Sequence, residues 1–435
     1  MAGGSPVKCR VRPPRSLAGE VRLPGDKSIS HRALILNSVA RGDARVSNLS
    51  QSDDCMSTVA CLRSLGVRIE AEDDESVVVR GVGREGLKEA GDVLNAGNSG
   101  TTMRLMAGVL AAQPFLTIIT GDESLRSRPM ARVIEPLRLM GARIWGRERD
   151  SRAPLVIRGG HLYGVRYRLP VASAQVKSAA LLAALFAEGD TTVIEPVPTR
   201  DHTERLLGAM GARISVVGEE VALSPGDLKA VSLTVPGDMS AAAFWLVAGA
   251  IHPRARIVLP NTGVNPTRTG VIDVLRSMGA AVTVRNERVV NGEPVADLEV
   301  ESGSLRGTEI GGDLIPRVID EVPVIALAAC LARGETVVRD AGELRVKESD
   351  RISLTVRELS RMGAQIRELA DGMVISGGRK LRGCTGDSHG DHRLAMMLGV
   401  AGLVAEGESE IDNCEAADIS YPAFWHDLER LSSGG

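Results

Sequence analysis

Positively charged and small polar side chains gather in a few short segments of this sequence, where they could bind anions. Three segments combine a lysine or arginine with Ser, Gly or Asn, at residues 23–32, 95–104 and 173–177. Each precedes a stretch of helical composition, and a helix N-terminus offers unpaired backbone N–H groups and the positive end of its dipole. Taken alone, any one segment is more typical of an ordinary helix cap. If several converge, they would hold a small molecule with several negative charges.

The C-terminal half adds three charged segments, at residues 320–321, 345–351 and 386–393. A charge run is usually a solvated helix face, and residues 345–351 taken alone fit that description. The chain as a whole has a net charge of −3, yet cations are concentrated in or near these segments, among them Lys27, Arg32, Arg104, Arg128, Lys177, Lys347, Arg351 and Arg393. Cations concentrated in this way indicate small anionic substrates. Asp320 and Glu348 are carboxylates beside cations, suited to general acid and base catalysis.

Two other kinds of site have weaker support. Residues 25–28 end like a phosphate-binding P-loop, but Asp26 interrupts the Gly-Lys-Ser/Thr sequence and the earlier glycine is missing. His389, Asp391 and His392 carry potential ligand atoms, but their spacing is not one typical of metal sites. The sequence therefore predicts neither an ATPase nor a metal centre.

An internal repeat predicts the elements that position these segments. A Met-Gly or Leu-Gly pair followed by a short aliphatic run recurs, with glycines at 66, 141, 211, 279 and 363. A second phrase, Ala-x-Gly-acidic, recurs with glycines at 42, 189, 334 and 407. The spacings fit a period of about 73 residues, which divides the chain roughly six times. We therefore predict six similar α/β modules, naturally arranged as two lobes of three.

Each module is predicted to alternate helices with strands. An Ala/Leu-rich run such as 178–187 predicts a buried helix, the glycine after it suits the C′ position, and the next β-branched residues predict a strand. A second helix follows, for example at 204–210, and its Met-Gly end leads into a strand at 212–217.

The composition excludes several protein classes. The near-neutral charge and the few aromatic residues (3 Trp, 3 Tyr and 4 Phe) argue against a nucleic-acid-binding protein. No stretch reaches the ~18 uninterrupted apolar residues of a membrane span, and residues 1–15 lack the apolar run of a secretory signal. We therefore expect a cytoplasmic protein that binds neither nucleic acid nor membrane. We also expect a monomer, although nothing in the composition indicates the oligomeric state. Widely spaced cysteines favour free thiols in a reducing cytosol: Cys9, Cys55, Cys61, Cys330, Cys384 and Cys414.

Four segments together resemble the motifs of the 5-enolpyruvylshikimate-3-phosphate synthases, also called 3-phosphoshikimate 1-carboxyvinyltransferases. They are PGDKSISHR at 24–32, GNSGTTMR at 97–104, RVKESDR at 345–351 and GDHRLAM at 390–396. The resemblance runs from about residue 23 to residue 428. It implies an enzyme that transfers the enolpyruvyl group of phosphoenolpyruvate to the 5-hydroxyl of shikimate 3-phosphate and releases phosphate, in aromatic amino acid biosynthesis. It implies no metal and no organic cofactor.

The resemblance also implies the two-lobed fold of the enolpyruvyl transferases, an α/β architecture of six βαβαββ-type modules with three per lobe. By this comparison the chain crosses between lobes near Gly25 and again near 236–238. One lobe would then combine residues 1–25 with 238–435 and hold modules 4–6. The other would span residues 26–237 and hold modules 1–3.

Roles for individual residues follow from the same resemblance. Residues matching the shikimate 3-phosphate site are Lys27, Ser28, Arg32, Ser173, Ala174, Gln175, Asp320 and Lys347. Residues matching the phosphoenolpyruvate site are Lys27, Gly100, Arg128, Gln175, Arg351 and Arg393. We expect Asp320 to take the proton of the 5-hydroxyl, and Glu348, aided by Lys27, to protonate the methylene carbon of phosphoenolpyruvate. Thr199 and Arg200 lie in an adjoining segment whose register with the family stays open.

The chain departs from the family pattern at several positions. Leu105, Ala174 and Glu343 replace residues common in the family, and 418–422 lacks a lysine that some members use on phosphoenolpyruvate. The inhibitor glyphosate occupies the family's phosphoenolpyruvate site, and Gly100 has no side chain to obstruct it. We therefore expect sensitivity to glyphosate.

Two alternatives are less well supported. The related transferase that acts on UDP-N-acetylglucosamine usually carries Lys-Asn at the first motif and a loop cysteine, whereas Ser28 follows Lys27 here and 122–126 contains no cysteine. A non-catalytic repeat scaffold would leave the pattern of Lys27, Glu348 and Arg393 unexplained.

Overall fold

The computed structural model describes residues 7–433 and divides into two compact units. Unit 1 comprises the chain up to Pro24, Gly237–Arg288 and the chain from Pro294 onwards. Unit 2 comprises Gly25–Pro236 and the short segment Val289–Glu293. Each unit has its own hydrophobic core.

Short strands alternate with helices along the described chain. The strands are β1 Lys8–Val11, β2 Leu17–Glu20, β3 Arg41–Ser47, β4 Arg68–Ala71, β5 Val77–Val82, β6 Leu94–Asn95, β7 Leu116–Thr120, β8 Arg143–Gly146, β9 Arg152–Arg158, β10 Arg166–Arg168, β11 Thr191–Ile194, β12 Ile214–Val217, β13 Glu220–Leu223, β14 Leu233–Thr234, β15 Ala255–Gly263, β16 Ala281–Val290, β17 Glu293–Glu301, β18 Glu309–Ile310, β19 Glu335–Val338, β20 Gln365–Leu369, β21 Gly372–Ser376, β22 Thr385–Asp387 and β23 Ser409–Asp412.

The α-helices are α1 Lys27–Ser38, α2 Asp53–Ser64, α3 Gly100–Leu110, α4 Glu123–Ser127, α5 Ala131–Leu139, α6 Arg147–Asp150, α7 Ala174–Ala184, α8 His202–Ala209, α9 Met239–Ile251, α10 Gly270–Ser277, α11 Ile315–Val318, α12 Val322–Leu331, α13 Arg351–Arg361, α14 His392–Gly402 and α15 Phe424–Ser433. Short 3-10 helices cover Gly312–Leu314, Gly342–Val346 and Cys414–Ile419.

Six small mixed sheets form the framework of the described residues, three in each unit. Unit 2 contains the sheets β14-β3-β5-β4, β6-β7-β9-β8 and β10-β11-β13-β12. Unit 1 contains β2-β15-β17-β16, β18-β19-β21-β20 and β1-β23-β22. Each sheet has a parallel pair, joined through a helix where the strands are neighbours in sequence, and an antiparallel pair. The predicted six α/β modules, three per lobe, are therefore confirmed.

Three modules are completed by strands distant in sequence. β14 follows the third module along the chain but pairs in parallel with β3 of the first. β2 pairs in parallel with β15, and β1 pairs antiparallel with β23 near the C-terminus. Strand pairs between segments that are distant in sequence therefore help to hold each unit together.

One helix of each module is buried on nearly all sides, as the Ala/Leu-rich composition predicts. These helices are α1, α3, α7, α9, α12 and α14. In unit 2, α3 and α7 approach so closely that a Cβ on Gly108 would lie 2.2 Å from the carbonyl oxygen of Ala179. The absence of a side chain at Gly108 permits this contact. Because the buried helices are packed tightly, their N-terminal residues are held in fixed positions.

The repeated Met-Gly phrase ends helices as predicted. The residue before each glycine is the C-cap of α2, α5, α8, α10 or α13. Each following glycine has a positive φ, between +86° and +104°. The second phrase is different: Gly189, Gly334 and Gly407 also have positive φ, but they lie beyond the C′ position, in the turn before a strand. The expected C′ role for these glycines is therefore wrong, because each helix ends earlier than the composition suggests.

The cysteine prediction needs one correction. Cys9 and Cys414 form a disulfide, with their Cα atoms 5.9 Å apart, although 405 residues separate them. The pairing of β1 with β23 brings the two residues together, and sequence spacing alone gives no sign of it. Cys55, Cys61, Cys330 and Cys384 are free thiols, as expected. Within residues 7–433, none of the helices has the length and apolar character needed to cross a membrane.

Candidate active site

The polar segments singled out in the sequence lie at helix N-termini. Asp26, Ser99 and Ser173 are the N-caps of α1, α3 and α7 in unit 2, and each side chain accepts a hydrogen bond from a backbone N–H of the first turn. In unit 1, Asp350 and Asp391 cap α13 and α14 in the same way. The capping interpretation and the anion-site interpretation are therefore compatible, because the caps fix the helix ends beside the cations.

Lys27 and Arg32 lie on the first turns of α1. The Lys27 Nζ is 2.8 Å from Oδ2 of Asp54, and the lysine side chain keeps 18% of its surface exposed. Arg32 is buried, and it donates from Nε to Thr203 Oγ1 (2.6 Å) and from Nη2 to Ser178 Oγ (2.7 Å). Burial, with Arg200 nearby, lowers the pKa of Arg32 to about 10, against the opposing effect of Glu204. An anionic substrate group beside Arg32 would favour the charged form of this guanidinium, as Glu204 does.

Gly100 begins α3 beside two arginines. A Cβ at this position would lie 2.9 Å from Nη1 of Arg104 and 3.4 Å from Nη1 of Arg128. Arg128 is buried and donates from Nη2 to Asn98 Oδ1 at 2.5 Å. The glycine therefore leaves room for two guanidinium groups at one helix N-terminus, an arrangement suited to a carboxylate or phosphate.

Gln175 joins the start of α7 to the start of α3. Its Nε2 donates to Thr101 Oγ1 at 2.9 Å, and its Oε1 accepts a hydrogen bond from Arg104 Nη1. Ser173 and Ala174 are half-buried in the same turn. Unit 2 thus brings together the predicted residues of 97–104 and 173–175.

Lys177, one of the candidate cations of the sequence, does not belong to this cluster. Its side chain is 1% exposed, and Nζ lies 2.8 Å from Glu195 and 2.5 Å from Glu204. Glu195 also accepts from the Thr199 N–H at 3.1 Å. Lys177 is therefore neutralised inside unit 2 and supports the segment that carries Thr199 and Arg200.

Unit 1 brings its five predicted site residues together around Asp320. Lys347 Nζ and Arg351 Nη1 each lie 3.4 Å from Asp320 Oδ1, and Arg393 Nη2 lies 3.9 Å from Oδ2. Glu348 Oε2 lies 2.7 Å from Arg351 Nη2. Two carboxylates and three cations thus share one cluster, which can exchange protons and bind an anion.

Arg351 is the most buried member of this cluster, with 1% of its side chain exposed. Burial opposes its charge, but Asp391, Glu348 and Asp320 raise the pKa of Arg351 above its usual value. Burial likewise opposes ionisation of Asp391, yet Arg351 lowers the pKa of that carboxyl. Arg351 therefore remains a fixed positive charge.

Several residues that contact the predicted site residues could not be identified from the sequence. Asp54 holds Lys27, Thr203 and Ser178 hold Arg32, and Glu321 lies 3.7 Å from Arg393. These residues carry ordinary side chains in ordinary contexts, so only the folded structure identifies them. Asp391 does carry a signal in the sequence, because it belongs to the GDHR segment at 390–393, although sequence alone does not distinguish its role from that of a metal ligand. Among residues 7–433 we find no group of three or more His, Cys, Asp or Glu side chains suited to hold a metal ion.

Comparisons with known proteins agree with this geometry. The family model for EPSP synthase (3-phosphoshikimate 1-carboxyvinyltransferase) matches residues 11–428. The chain is 57% identical over 423 residues to the 3-phosphoshikimate 1-carboxyvinyltransferase of Gloeobacter violaceus, covering 97% of this chain and 98% of the relative. It is 55% identical to that of Desulforudis audaxviator, with 97% and 99% covered.

Solved structures lead to the same family. An EPSP synthase structure from Acinetobacter baumannii has a TM-score of 0.87 and 43% identity, with 98% of each chain covered. The predicted fold class is therefore confirmed. From the family match over nearly its whole length, the chain belongs to the EPSP synthase (3-phosphoshikimate 1-carboxyvinyltransferase) family.

Proposed function

We propose that the helix-terminal cations of unit 2 and the Asp320 cluster of unit 1 perform the enolpyruvyl transfer of this family. As a family member, the chain is an enzyme that transfers the enolpyruvyl group of phosphoenolpyruvate to the 5-hydroxyl of shikimate 3-phosphate and releases phosphate. The two substrates together carry about five to six negative charges, so cations and helix N-termini must offset their repulsion.

For shikimate 3-phosphate, the proposed contacts in unit 2 are Lys27, Ser28, Arg32, Ser173, Ala174 and Gln175. Three observations support them: the N-cap of α7 lies in this set, Lys27 retains exposed surface, and Arg200 is close enough to lower the pKa of Arg32. In unit 1, Asp320 and Lys347 handle the ring hydroxyls, and their 3.4 Å separation supports a joint role.

For phosphoenolpyruvate, the proposed contacts are Lys27, Gly100, Arg128, Gln175, Arg351 and Arg393. Support comes from the two guanidinium groups that flank the α3 N-terminus at Gly100. Arg351 and Arg393 both lie near Asp320, within 4 Å of a carboxylate that would release them to a stronger anion.

Asp320 acts as general base and Glu348 as general acid in this proposal. Asp320 removes the proton of the 5-hydroxyl, while Glu348, aided by Lys27, adds a proton to the methylene carbon of phosphoenolpyruvate. The C–O bond that forms gives a tetrahedral ketal phosphate. Reverse proton movements then expel phosphate and leave the enolpyruvyl ether.

The observation that carries these assignments is the position of Asp320 among three cations, Lys347, Arg351 and Arg393. A general base on the 5-hydroxyl must be a carboxylate within reach of the substrate, and the three cations place the anionic substrates beside this one. Glu348 forms an ion pair with the same Arg351, so acid and base belong to one cluster of ion pairs.

A phosphate-release assay tests the proposal. The wild-type enzyme should release phosphate from phosphoenolpyruvate when shikimate 3-phosphate is present, and Asp320→Asn or Glu348→Gln should lower kcat by ~10²–10⁴-fold. Asp313→Asn is the matched control, because Asp313 is an exposed carboxylate of the same unit. Near wild-type turnover in either variant would refute its assigned role.

The choice of acceptor is tested in the same assay. The matched relatives favour shikimate 3-phosphate over UDP-N-acetylglucosamine. We therefore expect no phosphate release with the nucleotide sugar. Release with the nucleotide sugar alone would favour the other transferase, and release with neither acceptor would favour a scaffold.

We also infer that the enzyme works in the cytoplasm as a monomer on these two small molecules, without a nucleic-acid partner. The net charge of −3 supports the lack of a nucleic-acid partner, and the reaction of the family supports the two small-molecule substrates. Light scattering at assay concentrations would test it, and a dimer mass would contradict the monomer.

A further inference from the structure

Five residues of a β-hairpin belong to a different unit from the rest of it. β16 and β17 form a hairpin of unit 1, but Val289–Glu293 at its tip group with unit 2. Asn291 and Gly292 turn the chain with φ of +51° and +84°, which is typical of the Asn-Gly turns that join paired strands. The tip is therefore a well-defined turn, attached to unit 2 by contacts of its own.

Hydrogen bonds join the tip to other residues of unit 2, among them residues of helix α8. Glu293 Oε1 lies 2.8 Å from Nδ1 of His202, the first residue of α8. The Gly292 carbonyl oxygen accepts from Nη1 of Arg205 at 2.9 Å. Asn291 Nδ2 donates to the Ser232 carbonyl oxygen at 3.2 Å.

The contact between His202 and Glu293 is buried, whereas the strand that leads to it is exposed. The side chains of His202 and Glu293 are 2% and 8% exposed. Glu287, four residues before Asn291, is exposed. Burying a carboxylate is unfavourable unless a partner compensates it, so the tip is held at this point by a specific polar pair.

The first turn of α8 connects the hairpin tip to helices α1 and α7. Next to His202, Thr203 Oγ1 accepts from Nε of Arg32 at 2.6 Å and also hydrogen-bonds Ser178 Oγ at 2.7 Å. The following residue, Glu204, pairs with Lys177 at 2.5 Å. Consecutive residues of one helical turn therefore anchor the hairpin tip, α1 and α7.

The hairpin tip lies near Arg32, and the charge of Glu293 acts on the arginine. A cavity of about 10 Å³ lies between them, lined in part by Arg32, His202, Asn291 and Glu293. Among the charges that act on Arg32, Glu293 raises its pKa, although burial lowers the pKa overall. Any shift of the tip would therefore change both the packing around the Arg32 guanidinium and the electrostatic effect of Glu293 on it.

We propose that Glu293 and His202 are positioning residues for the shikimate 3-phosphate site, which hold the first turn of α8 so that Thr203 aims the guanidinium of Arg32. The inference rests on the proposed role of Arg32 in binding this substrate. It predicts an effect on one substrate only, because Arg32 is assigned to shikimate 3-phosphate and not to phosphoenolpyruvate.

The test compares Glu293→Gln with Glu287→Gln, the same change at an exposed position of the same hairpin. Glu293→Gln should raise the KM for shikimate 3-phosphate about tenfold and leave the KM for phosphoenolpyruvate within about twofold. Calorimetric titration with shikimate 3-phosphate alone should show the same loss of affinity. Glu287→Gln should behave as wild type in both measurements.

A double-mutant cycle separates positioning from a general structural role. If Glu293 acts through Thr203, the effects of Glu293→Gln and Thr203→Val on this KM should be strongly non-additive. Additive effects, or equal changes in both KM values, would overturn the proposal. If Glu293→Gln does not fold, His202→Gln carries the same prediction, because it removes the same pair from the other side.

A separate variant distinguishes failure of this inference from failure of the proposed site. Arg32→Ala should raise the KM for shikimate 3-phosphate more than Glu293→Gln does. If Arg32→Ala has no effect, the substrate assignment of Arg32 is wrong. If Arg32→Ala has its effect and Glu293→Gln has none, only the positioning role is wrong.

Discussion

Arg351 and Asp391 form an ion pair shielded from solvent, with Nε of the arginine 2.8 Å from Oδ2 of the aspartate. Their side chains are 1% and 0% exposed. Arg351 begins α13, whereas Asp391 caps α14 by accepting from the Arg393 N–H at 2.9 Å. One carboxylate thus fixes the helix ends that carry both arginines proposed for phosphoenolpyruvate.

Asp391→Asn should destabilise the protein by about 3–5 kcal/mol at pH 7, because it leaves a buried guanidinium short of a partner. Asparagine can still cap α14, so the change isolates the charge. Arg351 lowers the pKa of Asp391, so the stability from this pair is present above the usual aspartate pKa and is lost as the pH falls through the lower, folded value.

Urea unfolding of wild type and Asp391→Asn at several pH values measures this effect. The gap between the two midpoints should be wide at pH 7 and should narrow below about pH 4. Asp313→Asn, at an exposed site, should show no gap. A gap of constant size across the pH range would mean that the aspartate charge is not responsible.

Gly100→Ala should weaken phosphoenolpyruvate binding. The new Cβ would lie 2.9 Å from Arg104 Nη1 and 3.4 Å from Arg128 Nη1, so the flexible guanidinium group of Arg104 must shift beside that of Arg128. We expect the KM for phosphoenolpyruvate to rise about tenfold and the inhibition constant of glyphosate to rise at least as much. The KM for shikimate 3-phosphate should change little.

Gly91→Ala is the control for this prediction, because a Cβ there would meet no atom within 4 Å. Steady-state kinetics with glyphosate as inhibitor give all the required constants. Unchanged constants in Gly100→Ala would show that this helix end does not contact phosphoenolpyruvate.

The repeats and helix starts were predictable from the sequence because they depend on local chemistry. The Met-Gly pairs of this chain end helices, since glycine readily adopts the positive φ seen at Gly141 and Gly279. The direction in which a side chain points depends on tertiary packing. Lys177 therefore looked like a substrate cation, although α7 turns it into the interior toward Glu195 and Glu204.

Contacts between distant segments could not be predicted from the sequence, because they also depend on tertiary packing. His202 and Glu293 are 91 residues apart, and nothing in either local sequence indicates the other. The same holds for Cys9 and Cys414, which meet only because β1 pairs with β23. Such pairs depend on the order of strands within a unit. The sequence repeat does not determine that order.

The disulfide between Cys9 and Cys414 should stabilise unit 1 by holding β1 in its sheet. Reduction should lower stability by about 2–4 kcal/mol. Thermal unfolding with and without a thiol reductant measures this, and the Cys9→Ala variant should not respond to the reductant. A thiol titration of the denatured, unreduced protein should count four free thiols, matching Cys55, Cys61, Cys330 and Cys384. Six thiols would contradict the bond.

Lys177→Met should strongly destabilise unit 2, because it leaves the buried carboxylates of Glu195 and Glu204 without their cation. We expect a loss of about 3–5 kcal/mol at neutral pH. Burial already raises the pKa of Glu204, and Lys177 opposes that rise. Without the lysine the folded-state pKa rises further, so the loss should shrink as the pH falls and protonated carboxyls become favourable in the fold.

Urea unfolding midpoints at pH 5 and pH 8 check the sign of this effect, with the exposed Lys229→Met as the matched control. Adding Glu204→Gln to Lys177→Met should recover part of the stability, since one uncompensated charge is then removed. Equal losses at both pH values, with no recovery in the double variant, would mean that the lysine acts through packing alone. Because Glu195 also accepts from the Thr199 N–H, the single variant should disturb Arg200 and raise the KM for shikimate 3-phosphate as well.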